Sequence, residues 1–162
     1  MILNTPGPIY LGALGLALVA FSSAPTPTSA QDQRPAVVAY EIIDFAIPEP
    51  LTKIPGDIER GWTIVQDTAN ATCLICHSMP MPWQPDQGNL APDLAGVGSR
   101  YNAAELRLRL VDPKALNPFT IMPAYYQVQG LSRVQEKYLG KTIYSAQDIE
   151  DVIAFLLTLT DK

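Results

Sequence analysis

Cysteine occurs only at positions 73 and 76 of this 162-residue chain, and the single histidine follows at once, giving Cys73-Leu74-Ile75-Cys76-His77. Two cysteines this close cannot staple distant parts of a fold, so the chain must rely on a buried core or on a bound group. The spacing lets both thiols reach the two vinyl groups of one porphyrin, with the adjacent imidazole under the iron. That is the attachment pattern of haem c. Rival chemistries fit less well. A thioredoxin-like pair needs a strand just before it and a βαβ framework, and neither is visible. Tetrahedral zinc needs four ligands, and only Cys73, Cys76 and His77 are on hand.

With one histidine, bis-histidine ligation within the chain is impossible, so the sixth iron ligand must be sought elsewhere. Met79 and Met81 stand just past His77, on its side of the haem, and are expected to fill gaps around the porphyrin. Met122 lies far downstream in Ile121-Met122-Pro123, in a loop stiffened by Pro118 and Pro123. It is the expected axial ligand, with a buried core methionine as the alternative. His/Met ligation closes both axial positions and raises the reduction potential relative to histidine alone. Such an iron exchanges electrons without binding substrate, so no residue is assigned a catalytic role. A peroxidase-like open iron would require Met122 to stand outside the coordination sphere. Pro92, Leu94, Gly96, Val97 and Gly98 form a turn with apolar side chains suited to the haem face. Arg100 follows, either paired with a haem propionate or solvated. Tyr125 and Tyr126 either line the pocket or face a docking partner.

The N-terminus suggests where this chemistry takes place. No Lys, Arg, Asp or Glu occurs before Asp32, and Ile9 to Phe21 is an apolar run followed by a Pro/Thr/Ser-rich stretch. Thr28 and Ala30 suit a signal-peptidase site before Gln31, although the leading residues lack a basic side chain. The run covers roughly 20 Å as a helix, short of the ~30 Å hydrocarbon core. The reading is therefore a signal peptide over residues 1–30, cleaved after Ala30 with export to the periplasm and no stable membrane anchor. A net charge of −5 argues against nucleic acid as a partner.

Residues 31–56 carry Pro35, Pro48, Pro50 and Pro55 around an apolar stretch, Val37 to Ile47. They predict an extended arm with a short strand, lying on its own domain or on a partner. Asp57 is a good N-cap for a first helix with Ile58, Trp62 and Val65 on one face. Gly61 within it would let another helix approach closely. Four prolines from Pro80 to Pro92 mark a loop. Asn102 and Glu105 form a capping-box start for a helix to about Val111, although Leu106, Leu108 and Leu110 alternate with Arg107 and Arg109 like a strand. Whether those arginines face a partner or solvent is open. The last helix has Ser145 as cap and Asp148, Glu150 and Asp151 to complement its dipole, with Lys162 after its final turn. Its apolar face is Ile149, Val152, Ile153, Leu156 and Leu159, with Gly61 as its floor.

These residues resemble a known family. The glycine-bearing first helix, the haem motif, Pro92-Asp93-Leu94, the turn to Arg100, Met122-Pro123 and a last helix with Phe155 are similar to class I cytochromes c. The resemblance implies an all-α fold over residues 57–162. More specifically, Gly98-Ser99-Arg100-Tyr101, Glu105 to Arg109, Val111-Asp112-Pro113-Lys114, Asn117-Pro118 and Ile121 to Tyr126 resemble SoxX, the small haem subunit of the SoxAX sulfur-oxidation cytochromes. Tyr138 to Ile143 and Val38-Ala39-Tyr40-Glu41 are similar to it too. The resemblance implies one covalent haem c, with Cys73, Cys76, His77 and Met122 at the haem-binding positions. It also implies a SoxA-like haem subunit as partner, which holds the reactive haem. Thiosulfate or a similar sulfur anion would be coupled oxidatively to a cysteine of the carrier SoxYZ, and the electrons passed to a downstream acceptor. The competing expectation is a free periplasmic carrier serving an unrelated redox enzyme. The two differ in the surface they bury, above ~2,000 Å² for a permanent subunit and below ~1,200 Å² for a transient redox encounter.

Overall fold

Gly61 is the point where the first and last helices meet. A Cβ there would collide with the carbonyl oxygen of Asp151 and the Cβ of Phe155, so only glycine lets the two backbones come this close. The structure, a computed structural model, describes residues 37–70 and 73–161. The segment expected as a signal peptide, its cleavage site, the first residues of the arm and Lys162 lie outside the described residues.

Among the described residues five α-helices follow in order: α1 Ile58–Gln66, α2 Cys73–Cys76, α3 Val97–Arg100, α4 Ala103–Val111 and α5 Ala146–Leu156. Two single 3₁₀ turns, Pro113–Ala115 and Glu136–Tyr138, punctuate the long loop between α4 and α5. Local chemistry sets the helix starts. The Asp57 side chain accepts from Arg60 N at α1, and α4 and α5 each carry a complete capping box, Asn102 with Glu105 and Ser145 with Asp148. The core between α1, α4 and α5 is built from Val65, Leu106, Leu108, Val111, Ile149, Val152, Ile153 and Leu156.

The arm lies on its own domain. Ile47 N donates to Ala104 O at 3.0 Å, Val38 N to Tyr126 Oη at 3.0 Å, and Leu51 N to Glu150 Oε1 at 2.8 Å. Ile47 and Leu51 are buried. The short strand expected there is replaced by an isolated antiparallel bridge between Ile43 and Ala46. With Pro48 and Pro50 removing donors, the arm binds the helices residue by residue rather than through a ladder.

Two further expectations need correcting. Ile58 is half exposed, and the buried face of α1 is Gly61 and Val65 with Trp62 at its edge. Glu150 and Asp151 are not dipole partners of α5: both are buried, and only Asp148 sits in the first turn. Glu150 pairs with Arg107, Oε1 to Nε at 2.7 Å and Oε2 to Nη2 at 2.8 Å, while Arg107 Nη1 donates to Ile47 O at 2.7 Å. Asp151 accepts from Asp57 N, Arg60 Nε and Gln147 Nε2. The arginine alternation in α4 is thereby explained for Arg107, which faces neither partner nor solvent but ties α4, α5 and the arm together.

Removing one member of the Arg107–Glu150 pair leaves the other buried and unpaired. Arg107→Ala is expected to cost about 3–5 kcal/mol in denaturant unfolding, and the double replacement Arg107→Met with Glu150→Leu much less. Equal losses would contradict this reading. Burial pushes the Asp151 carboxyl up, but Arg60, Gln147 and the Asp57 N–H together hold it below the usual value. Its contribution is therefore present above the unfolded carboxylate value, about pH 4, and is lost as pH falls through the depressed folded value. Unfolding curves of Asp151→Asn against pH should show a flatter acid limb below about pH 4; an unchanged slope would count against it.

Candidate haem site

An apolar cavity of about 290 Å³ opens between the helices, and five chain segments wall it. The haem motif supplies Cys73, His77 and Met79. The turn into α3 supplies Pro92, Leu94, Val97, Arg100 and Tyr101. From α4 come Leu106, Arg109 and Leu110, from the following loop Leu116, Thr120, Met122 and Tyr125, and from α5 Val152 and Leu156. Cys73, His77, Leu94, Arg100 and Met122, singled out from sequence, therefore line one cavity. Cys76 closes α2 beside it, partly buried.

Local hydrogen bonds position the histidine. His77 N donates to Cys73 O at 2.7 Å, and Leu94 N to Ser78 O at 2.9 Å, which brings the Pro92–Leu94 segment alongside. His77 Nδ1 then lies 2.6 Å from Pro92 O. A carbonyl can only accept, so Nδ1 carries the proton and the lone pair is left on Nε2. This is the tautomer and orientation a metal-bound imidazole needs. Behind the motif, Gly88 N donates to Leu74 O at 2.8 Å, and a Cβ at Gly88 would strike the carbonyl of Ile75.

The loop bearing Met122 is pinned at both ends. Met122 N donates to Thr120 Oγ1 at 3.2 Å, and Tyr125 N to Leu110 O at 3.0 Å. Ile143 N and Tyr144 N both donate to Tyr125 O, and the Tyr125 and Tyr144 rings stack with centroids 4.6 Å apart. Tyr125 lines the cavity; Tyr126 is buried too and reaches the arm through its hydroxyl. Burial pushes the Tyr144 hydroxyl well above its usual range and the Cys73 thiol up to about 11.

Sequence reasoning missed two side chains. Gln87 folds the proline-rich loop around itself, accepting from Met79 N at 2.5 Å and donating to Met81 O and Gln84 O at 2.9 Å. Met79 thus lines the cavity, whereas Met81 is buried away from it under the loop, against expectation. Arg109 also enters the cavity wall, its guanidinium 3.7 Å over the Tyr101 ring and Nη1 donating to Glu105 O. The periodicity of α4 carried the signal: Arg109 stands one helical turn from Leu106 and on the opposite side from Arg107. Arg100 donates to Ala95 O at 2.5 Å and Asp93 O at 2.9 Å, and those bonds leave further N–H groups on its guanidinium.

The residues present fit a haem c. The Cys73 thiol and an imidazole with a free Nε2 stand at one wall, with Cys76 on the same short helix; a methionine thioether is in the same wall set, and the rest is mainly apolar. The ionisable side chains lining the cavity include two guanidiniums, Arg100 and Arg109, and no Asp or Glu, which suits a ligand bearing two propionate carboxylates. Among the described residues no group of three or more His, Cys, Asp or Glu could hold a separate metal ion.

Comparison with known proteins points the same way. The family model described as Cytochrome c matches residues 58–160. The chain is similar to a chain in the crystal structure of SoxXA from P. pantotrophus, at 36% identity and a TM-score of 0.66, over 75% of this chain and 95% of that one. No curated protein matches. The all-α architecture expected from sequence is that of a class I cytochrome c. The chain thus belongs to the cytochrome c family, as a SoxX-like cytochrome with a single covalently bound haem c.

Proposed function

We propose that this chain is the electron-relay subunit of a periplasmic SoxAX-like complex, in which thiosulfate or a related sulfur anion is coupled oxidatively to a carrier-protein cysteine on SoxYZ. Its likeness to a SoxXA chain supports the assembly, and the cavity supports the relay. The observation that carries the relay is that His77, with Nδ1 committed to Pro92 O, shares its cavity with Met122. On this reading Cys73 and Cys76 would form the thioethers, and His77 and Met122 would be the residues that ligate the iron. Arg100 and Arg109 hold the propionates, and Leu94 with the other apolar side chains keeps water from the macrocycle.

When bound, the haem supplies a one-electron Fe(III)/Fe(II) couple. The protein's part would be to fix His77 and Met122 on a rigid frame, so that they need not rearrange when the charge changes. An apolar wall disfavours the more charged oxidised state and so raises the potential. The sulfur chemistry would then fall to the SoxA-like haem subunit, with this chain passing electrons on to a downstream acceptor. Among the described residues no helix is long and apolar enough to cross a membrane.

Replacing Met122 by Leu is expected to abolish the Met-to-iron charge-transfer absorption and lower the reduction potential while leaving the haem covalently attached. Met79→Leu should leave the band in place. A band that survives in Met122→Leu sinks the ligand assignment. Purification from the native source should yield the chain with a second haem protein, whereas elution as a lone carrier would contradict the subunit reading.

A further inference from the structure

Half of the large apolar side chains that the described residues leave exposed lie between positions 37 and 58: Val37, Val38, Ile42, Ile43, Phe45, Ile54 and Ile58. Their centre is a tight hairpin in the arm. Ile43 N donates to Ala46 O and Ala46 N to Ile43 O, both at 2.9 Å, closing a two-residue loop of Asp44 and Phe45. Both have positive φ, 48° and 61°, as in the type I′ turn that suits hairpins and prefers Asp-Gly or Asn-Gly. Asp44 fits its position. Phe45 does not: an aromatic residue resists the left-handed region, and its side chain, 73% exposed, gains no packing in return.

A strained backbone that holds a large apolar side chain in solvent has no folding rationale within this chain. The same stretch is also charged in one sense: Asp44 lies in the hairpin loop with Glu41 and Glu49 on either side, and no Lys or Arg occurs from Pro35 to Thr52. The hairpin is firmly mounted, by Val38 N on Tyr126 Oη, by Ile47 N on Ala104 O, and by Gln127 Nε2 on Tyr40 Oη. A rigidly presented aromatic with aliphatic neighbours is the form of an interface anchor, because little side-chain entropy is lost on docking.

We propose that the Asp44–Phe45 hairpin is a docking knob, with Phe45 as its anchor, for the second haem subunit of the complex. This rests on the reading given under Proposed function. Charge complementarity defines the receiving surface: an apolar pocket rimmed by Lys or Arg, with the cations facing Glu41, Asp44 and Glu49.

Phe45→Gly separates docking from folding, because it creates the Asp-Gly pair the turn prefers. The test takes the purified holo-chain and the second haem subunit and measures their dissociation constant in a dilution series, alongside the denaturation midpoint of the chain alone. Phe45→Gly should leave that midpoint unchanged or higher while weakening the complex about tenfold or more. Asp44→Asn should slow association at low salt and reduce its salt dependence. Wild-type affinity in a folded Phe45→Gly chain overturns the knob while leaving the subunit reading intact. A wild-type chain that does not associate with the second subunit overturns both. Self-association of the wild-type chain that Phe45→Gly abolishes would assign the knob to a second copy and overturn the proposed partner.

Discussion

Two adjacent buried carboxylates on α5, Glu150 and Asp151, are the joint on which the described fold turns. Each collects donors from distant parts of the sequence, Glu150 from Arg107 and Leu51 N, Asp151 from Arg60 and Asp57 N, and Gln147, one turn back on α5, adds a third donor to Asp151. Buried charges are expensive unless fully paired, so a slip of α5 against α1 or α4 would strand at least one of them. The ion pairs therefore fix register, while the apolar faces of the helices supply the driving force. Gly61 completes the joint by letting α1 reach the backbone that carries Asp151.

The cavity follows from that frame. With α1, α4 and α5 fixed, the loops that hold the chemistry need only short, local restraints: Nδ1 of His77 on Pro92 O, Met122 N on Thr120 Oγ1, and Tyr125 stacked on Tyr144. No single segment makes the site. Five segments converge, and what they share is an apolar wall broken by an imidazole, a thioether and two guanidiniums. Such a wall suits a large planar group bearing carboxylates.

Much of this was legible in the residues, and unevenly so. The helix starts were plain because caps act within four residues: Asp57, Asn102 and Ser145 each stand where the local pattern puts them. The haem motif and Met122 were singled out because few other residues in the chain could ligate iron, and the structure brings Cys73, His77 and Met122 to one cavity. The roles of Glu150 and Asp151 were not. A carboxylate near a helix start reads as a dipole partner, and only the arrival of Arg107 and Arg60 from elsewhere in the chain makes it a buried pair. For the same reason Arg107 and Arg109, two residues apart on one helix, proved to have unrelated surroundings. The arm's attachment was also hidden, since its contacts are single hydrogen bonds at long sequence separation and lack the periodicity of a strand.

Electron relay by this chain depends on the iron's surroundings, and iron K-edge X-ray absorption of the holoprotein, in both oxidation states, tests them most directly. A shell of nitrogen scatterers with a single sulfur, unchanged on reduction, is the result predicted for His77 and Met122 in a closed site. A sulfur-free shell, or a coordination number that changes with oxidation state, would contradict it.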